Sequence, residues 1–327
     1  MIISRTPLRM SFVGGGSDLP AYFRTSIGAV VSTAVDKYVY ITVNKKFDSH
    51  IRVSYSETEE VTSVHEIKHA LVRESLKKLG IPGGIEITSI ADIPSRGTGL
   101  GSSSAFTVGL LHALYAYRGE YSSADRLARQ SCEIEIEQCG EPIGKQDQYA
   151  AAFGGFNFIQ FYTDGSVSVE PIICRRETVQ QLQKNLLVFY TGMTRRASSI
   201  LLRKQQEIRT RLAKQAIVKR MVDLAFQLRA ELQRDNLDAF GEILHANWQL
   251  KKSLTDGVSN RCIDTWYNRA RHCGALGGKL LGAGSGGFLL FYAPQQKHDR
   301  IKKVLSSLQH VNMRFEPQGS RIIFVHD

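Results

Sequence analysis

Residues 93–111 read IPSRGTGLGSSSAFTVGLL, and the fold turns on how this stretch is read. A loop broken by Pro94, Gly97, Gly99 and Gly101 runs through three serines straight into an apolar, helix-forming segment. Glycines let backbone N–H groups converge on a ligand, and the first turn of a helix adds free donors and a partial positive charge. Such a junction holds phosphate. Ser102, Ser103 and Ser104 stand at the helix start, where a hydroxyl also reaches a divalent cation riding on the phosphates. Taken alone, the same residues also suit an ordinary Gly-rich turn with serine N-caps. Two further segments, early and late in the chain, separate these readings.

With 327 residues the chain is long enough for two domains, each with its own core. A hydrophobic share of 43% and a charged share of 22% are those of a soluble globular protein. No apolar run approaches the roughly 20 residues that span a bilayer, so no membrane partner is expected. The start, MIISRTPLRM, reads as a strand and not as a signal peptide. Cys132, Cys139, Cys174, Cys262 and Cys273 make an odd set without a C-x-x-C pair, which fits reduced thiols in a cytoplasmic protein. The net charge of +11 is spread widely and comes with no nucleic-acid recognition motif, so no nucleic-acid partner is expected. Many of the cations lie between Arg195 and Arg234, where Ile208, Leu212, Ile217, Met221, Leu224, Leu228 and Leu232 recur at near-helical spacing. The Lys and Arg residues between them read as a solvated helix face. A small polyanionic substrate would gain from the same field by steering.

Periodicity predicts strands over IISRTPLRMSFV and AVVSTAVDKYVYITVNKKF, separated by the turn GGGSD. A helix is expected over 65–79, stopped by Gly80 and Pro82, and then the strand GIEITSIADI leads to the serine loop. Helices follow over 106–117 and 123–138, then strands NFIQFYT and SVSVEPI. The second half opens with the strand NLLVFYTG and the long basic helix. Helices over 238–254 and 263–273, a Gly-rich turn, the strand GGFLLFY, a helix over 298–309 and the strand SRIIFVH complete it. The pattern is interrupted between 171 and 184, which divides an α+β protein into domains 1–175 and 176–327 with closely joined halves.

Three Gly-rich segments flank expected strands: 14–18, 97–104 and 282–287. The last matches G-x-G-x-x-G but precedes a strand, whereas the dinucleotide fingerprint follows a strand and opens a helix, so hydride transfer is set aside. Glu133, Glu135 and Glu137 alternate along a helix and cannot share one face; one can point at a metal while the others are solvated. Asp147, in GKQDQY, is by itself as much a cap or turn residue as a functional one. Arg9 lies in a half-buried strand, where a charge needs a carboxylate or phosphate partner. His245 reads as structural.

Together the three segments resemble the GHMP kinase superfamily. PLRMSFVGGGSD looks like its first motif, IPSRGTGLGSSSA its phosphate-binding second and GGKLLGAGSGGFLLF its third, in the right order over almost the whole chain. Within the superfamily, RTPLRMSFVGGGSDLPAYF, LLHANWQLKKSL and GALGGKLLGAG look most like the heptose 7-phosphate kinase branch and its sugar-kinase relatives. The likeness implies an N-terminal domain like ribosomal protein S5 domain 2 and a ferredoxin-like C-terminal domain. It also implies transfer of a phosphoryl group from ATP, with Mg²⁺, to the anomeric hydroxyl of a sugar phosphate, in a monomer or homodimer. The branch's own substrate is D-glycero-D-manno-heptose 7-phosphate; an unphosphorylated sugar such as fucose or galactose is the alternative, and a non-catalytic sugar-binding regulator the reading from another class.

The resemblance also assigns roles. Ser103 matches the serine that contacts Mg²⁺ and the nucleotide phosphates, with Gly97, Gly99, Leu100, Gly101, Ser102 and Ser104 forming the rest of the loop. Glu135 takes the place of the Mg²⁺-binding glutamate, Asp147 that of the catalytic base, and Arg9 that of the basic residue beside it. Gly15, Gly16, Ser17 and Asp18 match the sugar-binding first motif, and Gly282, Gly284 and Gly286 let the third loop close on the second. For a phosphate already on the sugar, Arg195 and Arg196 are the leading candidates, with Lys251 and Lys252 behind them. The chain departs from the galactokinase pattern in a second motif one residue longer that carries Arg96, in Ser285 where a fourth glycine is frequent, and in GGGSD for GEHTD; the last argues against galactose.

Overall fold

The computed structural model describes residues 1–94, 97–193 and 198–326. Among the described residues the strands are β1 (Ile2–Val13), β2 (Gly28–Lys45), β3 (Ile51–Ser54), β4 (Thr58–Val61), β5 (Ile85–Ala91), β6 (Phe156–Phe161), β7 (Val167–Pro171), β8 (Leu186–Tyr190), β9 (Gly277–Leu280), β10 (Phe288–Tyr292), β11 (Gln309–His310) and β12 (Arg321–Val325). They form one sheet of order β12-β1-β2-β5-β3-β4, with β6 paired to β2 and β7 to β6, and a second of order β11-β8-β10-β9. The long β2 organises the first sheet. One edge pairs with β1, while its residues 28–33 pair with β6 and residues 39–45 with β5.

Residues 6–13 of β1 are all buried, because helices from both halves of the chain pack on this sheet. Ser102–Tyr117 and Gln146–Phe153 come from the first half, Leu212–Gln233 and Phe240–Leu254 from the second. Phe12 marks the junction, its ring centroid 5.4 Å from that of Phe240 and 5.9 Å from that of Phe156. The second sheet has its own core of Trp248, Tyr267, Phe189 and Phe291. After β11 the chain returns to the first sheet: Glu316 N donates to Ala34 O at 3.0 Å, and β12 pairs antiparallel with β1. The first sheet thus holds β1–β7 together with the last strand, β12, and the second holds β8–β11.

Several local expectations are corrected. The helix expected over 65–79 begins at Ala70; before it, Ser63 caps the short 3-10 turn Val64–Glu66 through a capping box. The helix after the serine loop begins at Ser102, four residues earlier than expected. The long basic helix is two helices, Ser198–Thr210 and Leu212–Gln233, parted by the extended Arg211. Arg176–Lys184 is a helix where polar residues read as a boundary, because Thr178 and Leu182 alone bury its inner side. Gly277–Leu280 is a strand and not part of a turn: a Cβ on Gly277 would lie 1.8 Å from Gly241 O, so two glycines let a helix and a strand meet backbone to backbone. The helix expected over 298–309 ends at Val304.

Candidate active site

The serine loop and β1 are joined before any ligand enters. Arg9 N donates to Leu100 O at 3.0 Å, and Arg9 Nη1 donates to Gly99 O at 2.7 Å. The rest of the guanidinium grips Asp147 in a two-pronged pair, Nε to Oδ1 at 2.8 Å and Nη2 to Oδ2 at 2.7 Å. Register shifts between β1 and β2 on either side of Arg9, at Pro7/Leu8 and Ser11/Val13, bend the strand where this side chain is aimed. Asp147 stands in the first turn of Gln146–Phe153, a helix the sequence reading did not anticipate. Arg9 and Asp147 meet across 138 residues of chain.

The helix Ser102–Tyr117 starts at Gly101, which offers no side-chain cap to its first turn, and a helix start of this kind points N–H donors at a ligand. Ser103 Oγ donates to Glu135 Oε1 at 2.7 Å, and Gln148 Nε2 donates to Glu135 Oε2. Glu135 lies in a π-helical stretch, Glu133–Gln138, which follows Ala124–Cys132 and its Ser123 N-cap. The wider turn separates the three glutamates: Glu135 is fully buried, Glu133 pairs with Lys78 at 2.6 Å, and Glu137 is exposed. Burial pushes the Glu135 carboxyl up to about 7 against the hydrogen bonds from Ser103, Ser104 and Gln148 that favour its ionised form.

The third loop closes on the second by direct backbone contact. A Cβ on Gly99 would lie 2.5 Å from Leu281 O, and one on Gly282 would lie 2.2 Å from Gly99 Cα. Both glycines have left-handed φ, +78° and +73°, so no other residue fits without strain. Ser285, also left-handed at φ 65°, is tied down by donating to Gly257 O. Gly284 packs against Val258 and Leu100 is fully buried; neither lines the cavity.

A cavity of about 770 Å³ lies between these parts. Its wall includes Gly15, Gly16 and Asp18 from the GGGSD turn, Gly97, Gly99 and 101–104 from the serine loop, Arg9, Asp147 and Gly282. Asp18 accepts from Gly16 N at 2.8 Å, and burial raises its carboxyl above the usual range. Ser17 is buried beneath the turn, donating to Gly14 O at 2.8 Å, and serves to fix it. Arg195 and Arg196 lie outside the described residues. Lys252 does not line the cavity and pairs with Asp264 at 3.3 Å. His245 is structural as expected, its Nδ1 2.6 Å from the Tyr267 hydroxyl.

The sequence reading missed Lys204 and Lys279, which join Lys251 in the cavity wall. Lys204 contradicts the solvated basic face: it stands four residues before the buried Ile208 and is itself only 6% exposed. That i, i+4 spacing was the available signal.

Two family models match the chain, the GHMP kinases N terminal domain over residues 65–155 and the GHMP kinases C terminal domain over residues 228–311. Together they span more than half of its length. The chain belongs to the GHMP kinase family. It is thus a phosphotransferase with a hydroxyl acceptor and ATP as donor, on the α+β fold expected from the sequence. The kinase is 32% identical to the D-glycero-alpha-D-manno-heptose 7-phosphate kinase of Campylobacter jejuni, over 97% of each chain. It is 25% identical to the L-fucokinase/L-fucose-1-P guanylyltransferase of Bacteroides fragilis, over 94% of this chain and 36% of that protein. Among solved structures, a D-glycero-D-manno-heptose 1-phosphate kinase from Bacteroides thetaiotaomicron superposes with TM-score 0.80 at 23% identity, each chain covered in full. No helix among the described residues is long and apolar enough to cross a membrane.

Proposed function

We propose that this kinase transfers the γ-phosphoryl group of ATP to the anomeric hydroxyl of D-glycero-D-manno-heptose 7-phosphate. The product would be the 1,7-bisphosphate, an early compound on the way to nucleotide-activated heptose for surface glycans. The observation that carries this reading is the Arg9–Asp147 pair, set in one cavity with the serine loop on one side and the GGGSD turn on the other. The likeness to the Campylobacter jejuni enzyme supports the choice of acceptor.

Phosphoryl transfer asks the protein for alignment and charge neutralisation. The start of the helix at 101–104 receives the triphosphate tail. The Asp18 carboxylate and the backbone of Gly15 and Gly16 orient the sugar hydroxyls. The anomeric oxygen attacks the γ-phosphorus, the bond from that phosphorus to the β–γ bridging oxygen breaks, and the hydroxyl proton passes to an Asp147 oxygen. Arg9 holds that carboxylate in line and offsets the charge developing nearby. Ser103 and Glu135 offer hard oxygen donors, one a fully buried carboxylate, which suits Mg²⁺. Bound there, the ion would neutralise the β and γ oxygens.

The test is a panel of free and phosphorylated heptoses, fucose and galactose with ATP, read by ADP release and by ³¹P NMR of the product. Turnover of heptose 7-phosphate with the new phosphate on C1 is expected; turnover of fucose or galactose alone would refute the reading. In the same assay Asp147→Asn is expected to lower kcat by about 10²–10⁴-fold. A folded variant with near-normal kcat would remove Asp147 from its role.

A further inference from the structure

The cavity wall carries more buried positive charge than the phosphoryl-transfer machinery uses. Lys204, on Ser198–Thr210, Lys251, on Phe240–Leu254, and Lys279, on β9, are 6%, 6% and 3% exposed, and all three line the cavity. Long charged side chains are rarely buried so fully without an ionic partner. Among the described residues none of the three ion-pairs with a carboxylate within 4.0 Å, where Arg9 does so at 2.7 Å. Their hydrogen bonds run to backbone carbonyls instead: Lys204 to Gly15 O at 3.4 Å, Lys279 to Phe12 O at 2.8 Å, Lys251 to Leu280 O at 3.0 Å and to Gly282 O. An ammonium carries three N–H donors, so each lysine keeps at least one for a ligand.

The carboxylates facing the cavity do not balance these charges. Asp147 is taken by Arg9, Glu135 accepts from Ser103 and Gln148 away from the lysines, and Glu141 sits exposed at the rim. Asp18 is the one carboxylate whose field reaches Lys204. Lys251 and Lys279 are thus two buried amines without a carboxylate partner, able to take up the two positive charges that match one phosphate monoester dianion.

Their place in the cavity selects which phosphate. A Cβ on Gly16 would lie 2.3 Å from Lys204 Nζ, and Lys279 rests on the carbonyl of Phe12, two residues before the same glycine turn. Lys204 and Lys279 are thus built against the GGGSD segment and Lys251 against the third loop at Gly282, whereas the helix start proposed for the nucleotide tail is at 101–104. We infer that Lys204, Lys251 and Lys279 form a phosphate subsite that grips the phosphate already carried by the sugar. The inference rests on the proposed reading of the acceptor as a sugar phosphate and adds the residues that would recognise it.

The electrostatics agrees. Burial and the neighbouring Arg9 and Lys204 push the Lys279 ammonium down to about 7, burial and Lys279, Lys204 and Arg9 lower Lys251, and burial lowers Lys204 against the pull of Asp18. The lysines repel one another when no anion is bound. A dianion among them reverses that and draws protons back onto the site.

The test uses Lys204→Met and Lys279→Met, which keep most of the stem volume. It measures kcat/KM for heptose 7-phosphate and for free heptose, together with KM for ATP. The expected result is a fall of about 10–100-fold for the sugar phosphate, at least tenfold larger than the fall for free heptose, with KM for ATP little moved. Equal falls for both acceptors, or a raised KM for ATP, would overturn the inference and give the lysines to the nucleotide tail. If either variant loses its melting transition, Lys204→Gln or Lys279→Gln takes its place. Should wild type use free heptose as readily as the phosphate, the acceptor reading fails, and calorimetric titration with inorganic phosphate decides the subsite separately. Binding with proton uptake that both variants lose supports it; binding that survives in both overturns it.

Discussion

Replacing Lys279 by Met should make the unliganded kinase more stable near neutral pH, although it deletes a hydrogen bond. Lys279 is 3% exposed, and its ammonium is pushed from the ordinary 10.5 down to about 7. Between those values the unfolded chain holds a proton that the folded interior gives up. Folding stability contributed by this group therefore rises with pH across that window and is lost as pH falls towards 7. At pH 7 the penalty is about 4 kcal/mol, and at pH 9 about 2 kcal/mol. The lost bond from Lys279 Nζ to Phe12 O offsets about 1 kcal/mol. The variant should thus exceed wild type by about 3 kcal/mol at pH 7, and the gap should shrink by about 2 kcal/mol on going to pH 9. Lys251, relieved of a like charge, adds in the same direction. Urea unfolding of both proteins at pH 7, 8 and 9 measures the gap. A gap independent of pH, or a variant less stable than wild type at pH 7, would show that Lys279 is an ordinary charged lysine.

Two further outcomes follow from the loops. Glu135→Gln keeps the shape of the side chain that meets Ser103 and Gln148 but removes the buried carboxylate, so the Mg²⁺ concentration for half-maximal activity should rise by about tenfold or more. An unchanged requirement would move the metal elsewhere. Gly282→Ala places a Cβ 2.2 Å from Gly99 Cα at φ +73°, which should lower stability by about 1–3 kcal/mol or more and raise KM for ATP. A variant with wild-type melting and KM would mean the two loops do not depend on one another.

How the site is assembled explains what could be read in advance. Asp147 in isolation looked like a turn residue, since Gln146–Phe153 is only eight residues long and carries Tyr149 and small alanines on its buried positions. The support for its proposed role comes from Arg9, 138 positions away. The choice among Glu133, Glu135 and Glu137 was open because helical periodicity assumes 3.6 residues per turn, and the chain here adopts the wider π turn. Lys204 was read as solvent-facing because charge is normally exposed, a rule that fails here, where the side chain lines a cavity and is 6% exposed.

The β1 and β2 strands, the serine loop running into a helix and the three Gly-rich turns were legible in the order of residues alone. Each is set by local physics: alternation of apolar residues, a helix start without competing caps, and backbone angles that glycine adopts most easily. That Gly99 and Gly282 touch, that β12 returns to the first sheet, and that three lysines from separate elements share one cavity follows from the folded chain alone. Those relations are long-range. They follow from how two sheets and the helices between them close around Phe12, and packing of that kind leaves no periodic trace along the chain.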